Sequence, residues 1–181
     1  MGKTFSLDFY TKTVELLIES ARYLTTEDWI ILIAGGPHPR LLNDHDYRLY
    51  LLQLQDRAMS ISEDRILFRG FVHEDDVPLY FSAADLLVFP YNAALSYSGP
   101  VCLAISYKRP FLITNFYEQM IECEELLFKS DPQELASKID MFLQNQELRR
   151  RVLRYIDRIG AERSWSNIAG KTLDLYKRCV S

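Results

Sequence analysis

With 48% hydrophobic and 13% aromatic residues over 181 positions, the chain has enough apolar material for one good core, which excludes a disordered segment. Its 21 basic and 25 acidic residues leave a net charge of −4, which argues against a general nucleic-acid binder. Cys102, Cys123 and Cys179 form an odd set without C-x-x-C spacing, so they read as reduced thiols of a cytosolic protein and not as a metal site. The first ten residues carry no signal-peptide h-region, and no apolar run is long enough to cross a bilayer.

Taken in order, residues 10–24 place Val14, Leu17, Ile18, Ala21 and Leu24 at the spacing of an amphipathic helix. Residues 29–34, WIILIA, are a buried strand that ends at Gly35, Gly36 and Pro37. Glycines there either let the backbone approach a ligand or simply punctuate a turn. A Leu- and Gln-rich helix covers 47–59. Residues 65–72, RILFRGFV, form the next strand, with Gly70 near its end. Asp75 or Asp76 caps a short helix over 77–83. A strand over 85–91, a small-residue loop over 92–98, a helix over 101–107 and a strand over 110–114 follow. Residues 126–128 are a weak fifth strand. Asp131, Pro132 and Glu134 start a helix that runs to about Leu143. Helices over 146–159 and from about Ser166 to Lys177 complete the chain. Before residue 10 no strong strand is visible; either residues 3–7, KTFSL, serve, or the sheet begins one strand late.

Strands alternating with helices, without repeats or linkers, define an α/β domain. The fold class is a Rossmann-like parallel sheet with helices on both faces and ligands at the carboxyl ends of its strands. The stretch 85–114 concentrates the chemistry. Pro100 suits the first helical position, where a missing N–H costs nothing. Ser96, Ser98 and Gly99 then surround a helix N-terminus, where free N–H groups and the dipole favour an anion such as phosphate. Serines that only cap the helix would produce the same pattern.

In this order the segments resemble the C-terminal half of GT-B fold glycosyltransferases, the "group 1" or family 4 type. KTVELLIESARYL is similar to the family's "K-G-x-x-x-L-I-x-A" helix, with Thr13 for Gly. WIILIAGGP is similar to its strand ending in Gly-Gly. RILFRGFV and HEDDVPLYFSAADLLVFPY resemble "R-I-x-F-x-G-x-V … L-Y-x-x-A-D-x-x-x-x-P", and KRPFLIT matches "G-x-P-V-I-x-T". SDPQELASKIDMFLQNQELRRRV and WSNIAGKTLDLYKR resemble the closing helices.

The resemblance implies a single donor-binding domain over 1–181, with the N-terminal acceptor domain absent from this chain. It implies transfer of a sugar, with retention, from a nucleoside diphosphate sugar to a hydroxyl acceptor, no metal cofactor, and an isolated chain without activity. By position, Gly70, Phe71 and Val72 face the base, and Gly35 and Gly36 lie beside the nucleotide. Lys12 pairs with the diphosphate, and Ser96, Ser98 and Gly99 meet the phosphates. Phe71, Val72 and Tyr91 would equally suit core packing. The family's two glutamates, seven residues apart, fall on Leu95 and Leu103, neither of which accepts a hydrogen bond, and the Arg that usually precedes the Lys is missing. Those departures support an alternative: a non-catalytic nucleotide-binding or interaction module of the same fold. A nucleotide-sugar epimerase is a third reading.

Arg149, Arg150, Arg151, Arg154 and Arg158 crowd one helix, beside Glu147 and Asp157. They form either a solvated face or a contact, mainly through Arg149, Arg150 and Arg154, with an anionic membrane. The expected location is cytoplasmic or peripheral to the inner face of a membrane. His38, His45 and His73 have no metal-ligand spacing.

Overall fold

The computed structural model describes residues 2–5, 13–35, 45–93 and 98–180. Six strands, β1 (Gly2–Phe5), β2 (Trp29–Ala34), β3 (Ile66–Gly70), β4 (Leu87–Phe89), β5 (Phe111–Thr114) and β6 (Leu127–Phe128), form two parallel ladders. One ladder runs β1-β2-β3 and the other β4-β5-β6. β1 lies beside β4, so the strands follow the order 3-2-1-4-5-6 of a doubly wound sheet. The first strand therefore exists; it spans Gly2–Phe5, slightly earlier than the KTFSL reading. The weak fifth candidate is real as β6.

Among the described residues seven α-helices accompany the strands: α1 (Val14–Ser20), α2 (His45–Met59), α3 (Val77–Ala83), α4 (Gly99–Ser106), α5 (Pro132–Gln144), α6 (Gln146–Glu162) and α7 (Trp165–Val180). β4 and β5 are buried at every position, as unbroken apolar runs of a two-face-covered parallel strand should be. Phe81, Phe89, Phe111 and Phe128 are fully buried and form the aromatic centre of the core. Helix α6 buries Leu148, Val152, Ile156 and Ile159, a 3.6-residue stripe. At its C-terminal end, Gly160 allows close approach to α4: a Cβ there would stand 3.3 Å from Ile105 Cγ2.

Local chemistry explains where the elements start. Asp131 accepts from the Glu134 N–H at 2.7 Å, and Glu134 accepts from the Lys129 N–H at 3.1 Å, so the capping pattern read for α5 holds. The cap expected from Asp75 or Asp76 does not form. His73 Nδ1 instead accepts from the Asp75 N–H in a 3-10 turn over Glu74–Asp76, which leads into α3. Nor does Pro100 take the first position of α4: Ser98 is the cap and Gly99 comes first.

One buried carboxylate joins distant segments. Asp140 of α5 accepts from the N–H and hydroxyl of Thr25, both at 2.7 Å, and from those of Thr26 at 3.0 and 2.7 Å. Burial by itself would raise its pKa, but the bonds from Thr26 and Thr25 outweigh this and hold it below the usual carboxylate value. Asp140 therefore stabilises the fold above the unfolded carboxylate pKa of about 3.9, and that contribution disappears as pH falls through the lower folded value. Asp140→Ala should cost about 3 kcal/mol at neutral pH by urea denaturation. The gap from the parent chain should close in acid, and a gap independent of pH would contradict this assignment.

Candidate functional site at the carboxyl edge of the sheet

Three strand ends meet helix starts along one edge. Past β2, the Gly35 N–H donates to the carbonyl of Gly70 at 3.0 Å, forming an isolated bridge between the ends of β2 and β3. Gly35 has φ 138° and Gly70 φ 73°, both in the region that disfavours side chains. Past β4, the carbonyl of Pro90 accepts from the Thr13 N–H at 2.8 Å and from its hydroxyl at 3.2 Å. That bond brings the start of α1, which follows β1, to the end of β4.

The start of α4 is built by Tyr91 and Ser98. Ser98 is buried; its Oγ accepts from the Val101 N–H at 3.3 Å and shares a 2.5 Å hydrogen bond with the Tyr91 hydroxyl. Tyr91 packs on Tyr117, with ring centroids 5.1 Å apart. Reading Tyr91 as core packing is thus half the account, because its hydroxyl also fixes the cap. The Cys102 N–H goes to the Ser98 carbonyl and Pro100 has no N–H. Among the described residues this leaves the Gly99 N–H as the unpartnered donor of the first turn. An added Cβ at Gly99 would meet nothing within 4 Å among the described residues.

The structure thus joins Gly35 to Gly70, and sets Ser98 and Gly99 at the start of α4 on the same edge. Phe71 is 47% exposed and not a core residue, whereas Val72 is buried. Leu103 is 37% exposed on α4 and offers no acceptor. Lys12, Gly36, Leu95 and Ser96 lie outside the described residues. Among the described residues no His, Cys, Asp and Glu cluster could hold a metal. All three cysteines are free. Cys123 is buried, and burial with its bond to the Glu125 carboxylate pushes its thiol up to about 11.

The arginine cluster is largely neutralised within the chain. Arg150 and Arg154 both pair with Glu147, Arg151 pairs with Glu125 and Arg158 with Glu162, while Arg149 lies over the Phe142 ring. No helix of the described residues is long and apolar enough to cross a membrane.

Two parallel ladders set side by side in the strand order 3-2-1-4-5-6, with glycine turns and a helix N-terminus at their carboxyl ends, define a Rossmann-like domain of the kind that binds nucleotides. Residues 4–145 match the family profile of glycosyl transferases group 1, and the chain belongs to that family. Among solved structures it is similar to the C-terminal domain of the group 1 glycosyl transferase LpcC from Francisella tularensis. That likeness has 21% identity and a TM-score of 0.73, covering 90% of this chain and 85% of that one. It also resembles Anabaena Alr3699/HepE in complex with UDP and glucose, with 17% identity and a TM-score of 0.78, over 97% of this chain and 47% of that one. A third likeness is the catalytic domain of cholesterol-α-glucosyltransferase from Helicobacter pylori, with 20% identity and a TM-score of 0.67, over 90% of this chain and 99% of that one. At these identities the likeness is one of fold. It matches the C-terminal domain of the GT-B architecture, and the chain spans about half of the Anabaena protein. No curated protein matches the sequence.

Gly70→Ala should cost about 1–2 kcal/mol through its positive φ alone, since open space surrounds the added methyl. Gly99→Ala, with neither strain nor clash, should stay within about 0.5 kcal/mol. Thermal melts of the two variants check this, and equal losses would refute it.

Proposed function

We propose that this chain is the donor-binding domain of a retaining glycosyltransferase that moves a sugar from a nucleoside diphosphate sugar to a hydroxyl acceptor. The observation that carries the reading is the Gly35–Gly70 bridge, in a chain of this family, on the edge where α4 begins. Two side-chain-free turns let a nucleotide come close to backbone. The base and ribose lie against Gly35, Gly70 and Phe71, and the diphosphate meets the Gly99 N–H and the α4 dipole. Lys12, Gly36 and Ser96 complete this set in the proposal. With Lys12 and the helix dipole meeting the phosphate charge, no metal is invoked. UDP is the first nucleotide to test, because Anabaena structures of this fold hold UDP or UDP-glucose.

Ser98 supports the anion indirectly. Its hydroxyl is engaged by Tyr91 and the Val101 N–H, so it sets the helix start and leaves the phosphate to the Gly99 N–H. Catalysis needs donor and acceptor held together, and orientation supplies a large share of the rate. In the proposal a second domain or subunit holds the acceptor, and this chain alone is inactive. Leu103 favours a second reading, a module of the same fold that binds nucleotide without transfer. An apolar side chain stands where the ribose hydroxyls would find a carboxylate.

Calorimetric titration with UDP, GDP and ADP, each with and without its sugar, tests the site. One nucleotide should bind saturably, and Gly99→Asp should weaken it at least about tenfold by placing a carboxylate against the phosphate, about 1.4 kcal/mol or more. Leu103→Glu should strengthen a ribonucleotide by about 1.5–3 kcal/mol through a restored acceptor. No binding at millimolar concentration, or binding unchanged by Gly99→Asp, would refute the donor site.

A further inference from the structure

On the other flank of α4 lies a second feature that the transferase reading does not use. Between α4, the segment after β5 and the α6–α7 junction is a cavity of about 720 Å³, open to solvent. That size is within the range of small-molecule sites. Val101 and Ile105 of α4, Met120, Ile121 and Ile168 of α7 supply its apolar walls. Gly160 helps to keep it open: it lines the cavity with no side chain, and an added Cβ there would already be tight against Ile105. At the mouth, Trp165 is 88% exposed and Ile168 43%, so the apolar lining continues into unburied surface.

Arg163 sits in the same lining. One guanidinium nitrogen donates to the Met120 carbonyl at 2.7 Å, and no carboxylate among the described residues pairs with it. Earlier on α6, Arg150, Arg151, Arg154 and Arg158 have carboxylates, and Arg149 lies over the Phe142 ring. An apolar cavity whose lining includes an exposed guanidinium, bonded to one carbonyl and to no carboxylate among the described residues, favours an amphiphile. A plain hydrocarbon would make no use of the remaining guanidinium N–H groups, and a free sugar or phosphate would leave the apolar walls against water. A fatty or prenyl chain with an anionic head satisfies both.

We propose that this cavity binds the apolar chain of an anionic lipid, with Arg163 on its phosphate-type head. Ser98, the cap of α4, also lines the cavity, so the bound chain lies beside the helix whose start forms the proposed donor site. The lipid site stands on the cavity alone, so a failed nucleotide titration and a failed lipid titration are separate results.

The test uses the full chain and decyl phosphate below its micelle concentration, with decyltrimethylammonium and inorganic phosphate as comparisons. Two reporters are built in. Trp165 emission should shift to the blue on binding, with Trp165→Phe correcting for Trp29. Cys102, in the lining, should be protected from N-ethylmaleimide, while exposed Cys179 on α7 serves as control in the same mass spectrum. Decyl phosphate should slow alkylation of Cys102 and leave Cys179 unchanged. Decyltrimethylammonium should bind about tenfold more weakly, inorganic phosphate should protect nothing, and Arg163→Gln should weaken decyl phosphate about tenfold. Ile168→Asp, at an exposed position, should abolish protection with the melting temperature retained. Equal protection by the cationic detergent, no protection at all, or full affinity in a folded Arg163→Gln variant would overturn the proposal.

Discussion

A parallel strand buried on both faces must find partners for its backbone where it ends, and here the strand ends find them in one another. Gly35 bonds to Gly70, and Thr13 bonds to Pro90. These two links tie backbone to backbone at the carboxyl ends of β2, β3 and β4. Glycine is required at the first link because both φ values are positive. At the second link the Pro90 carbonyl takes both the N–H and the hydroxyl of Thr13, so the helix following β1 is anchored to β4.

The start of α4 divides its donors between its own cap and one free N–H. Ser98 and Tyr91 build the buried cap, Pro100 removes one donor, and the Gly99 N–H is left without a partner among the described residues. Such a helix start has fewer free N–H groups than an uncapped one, and its cap is held by two hydrogen bonds. A fixed donor costs less to order when an anion arrives. The cavity on the other side of α4 shares this scaffold, because Tyr117 and Ser98 both line it and both contact Tyr91.

Much of the architecture was legible. WIILIA and FLIT read directly as strands because a parallel strand covered on both faces is an unbroken apolar run. Strand ends were less so: the run over 85–91 shortens to Leu87–Phe89, where Pro90 can no longer donate to a ladder. The glycine turns and the serine-glycine loop were visible as punctuation, and the family resemblance gave them roles. What escaped depends on contacts between remote segments. Asp140 looked like one more charged residue of α5, yet its partners lie 115 positions away. Tyr91 looked like packing, and only its placement opposite Ser98 reveals the cap. The arginine run looked like a basic patch, but its carboxylate partners are set at helical spacing or come from the segment before β6. Arg163, one turn further on, seemed no different in sequence and is the one left over a cavity.

The central claim is that the turn at Gly70 and the start of α4 at Gly99 form one nucleotide site. Titration of the 15N-labelled chain with UDP-glucose, followed through its backbone amide resonances, tests it most directly. The account predicts that the amides of Gly35, Gly70, Phe71 and Gly99 all move, and that they follow a single saturation curve. Binding that leaves Gly70 and Gly99 in place, or that moves them with different affinities, would contradict it.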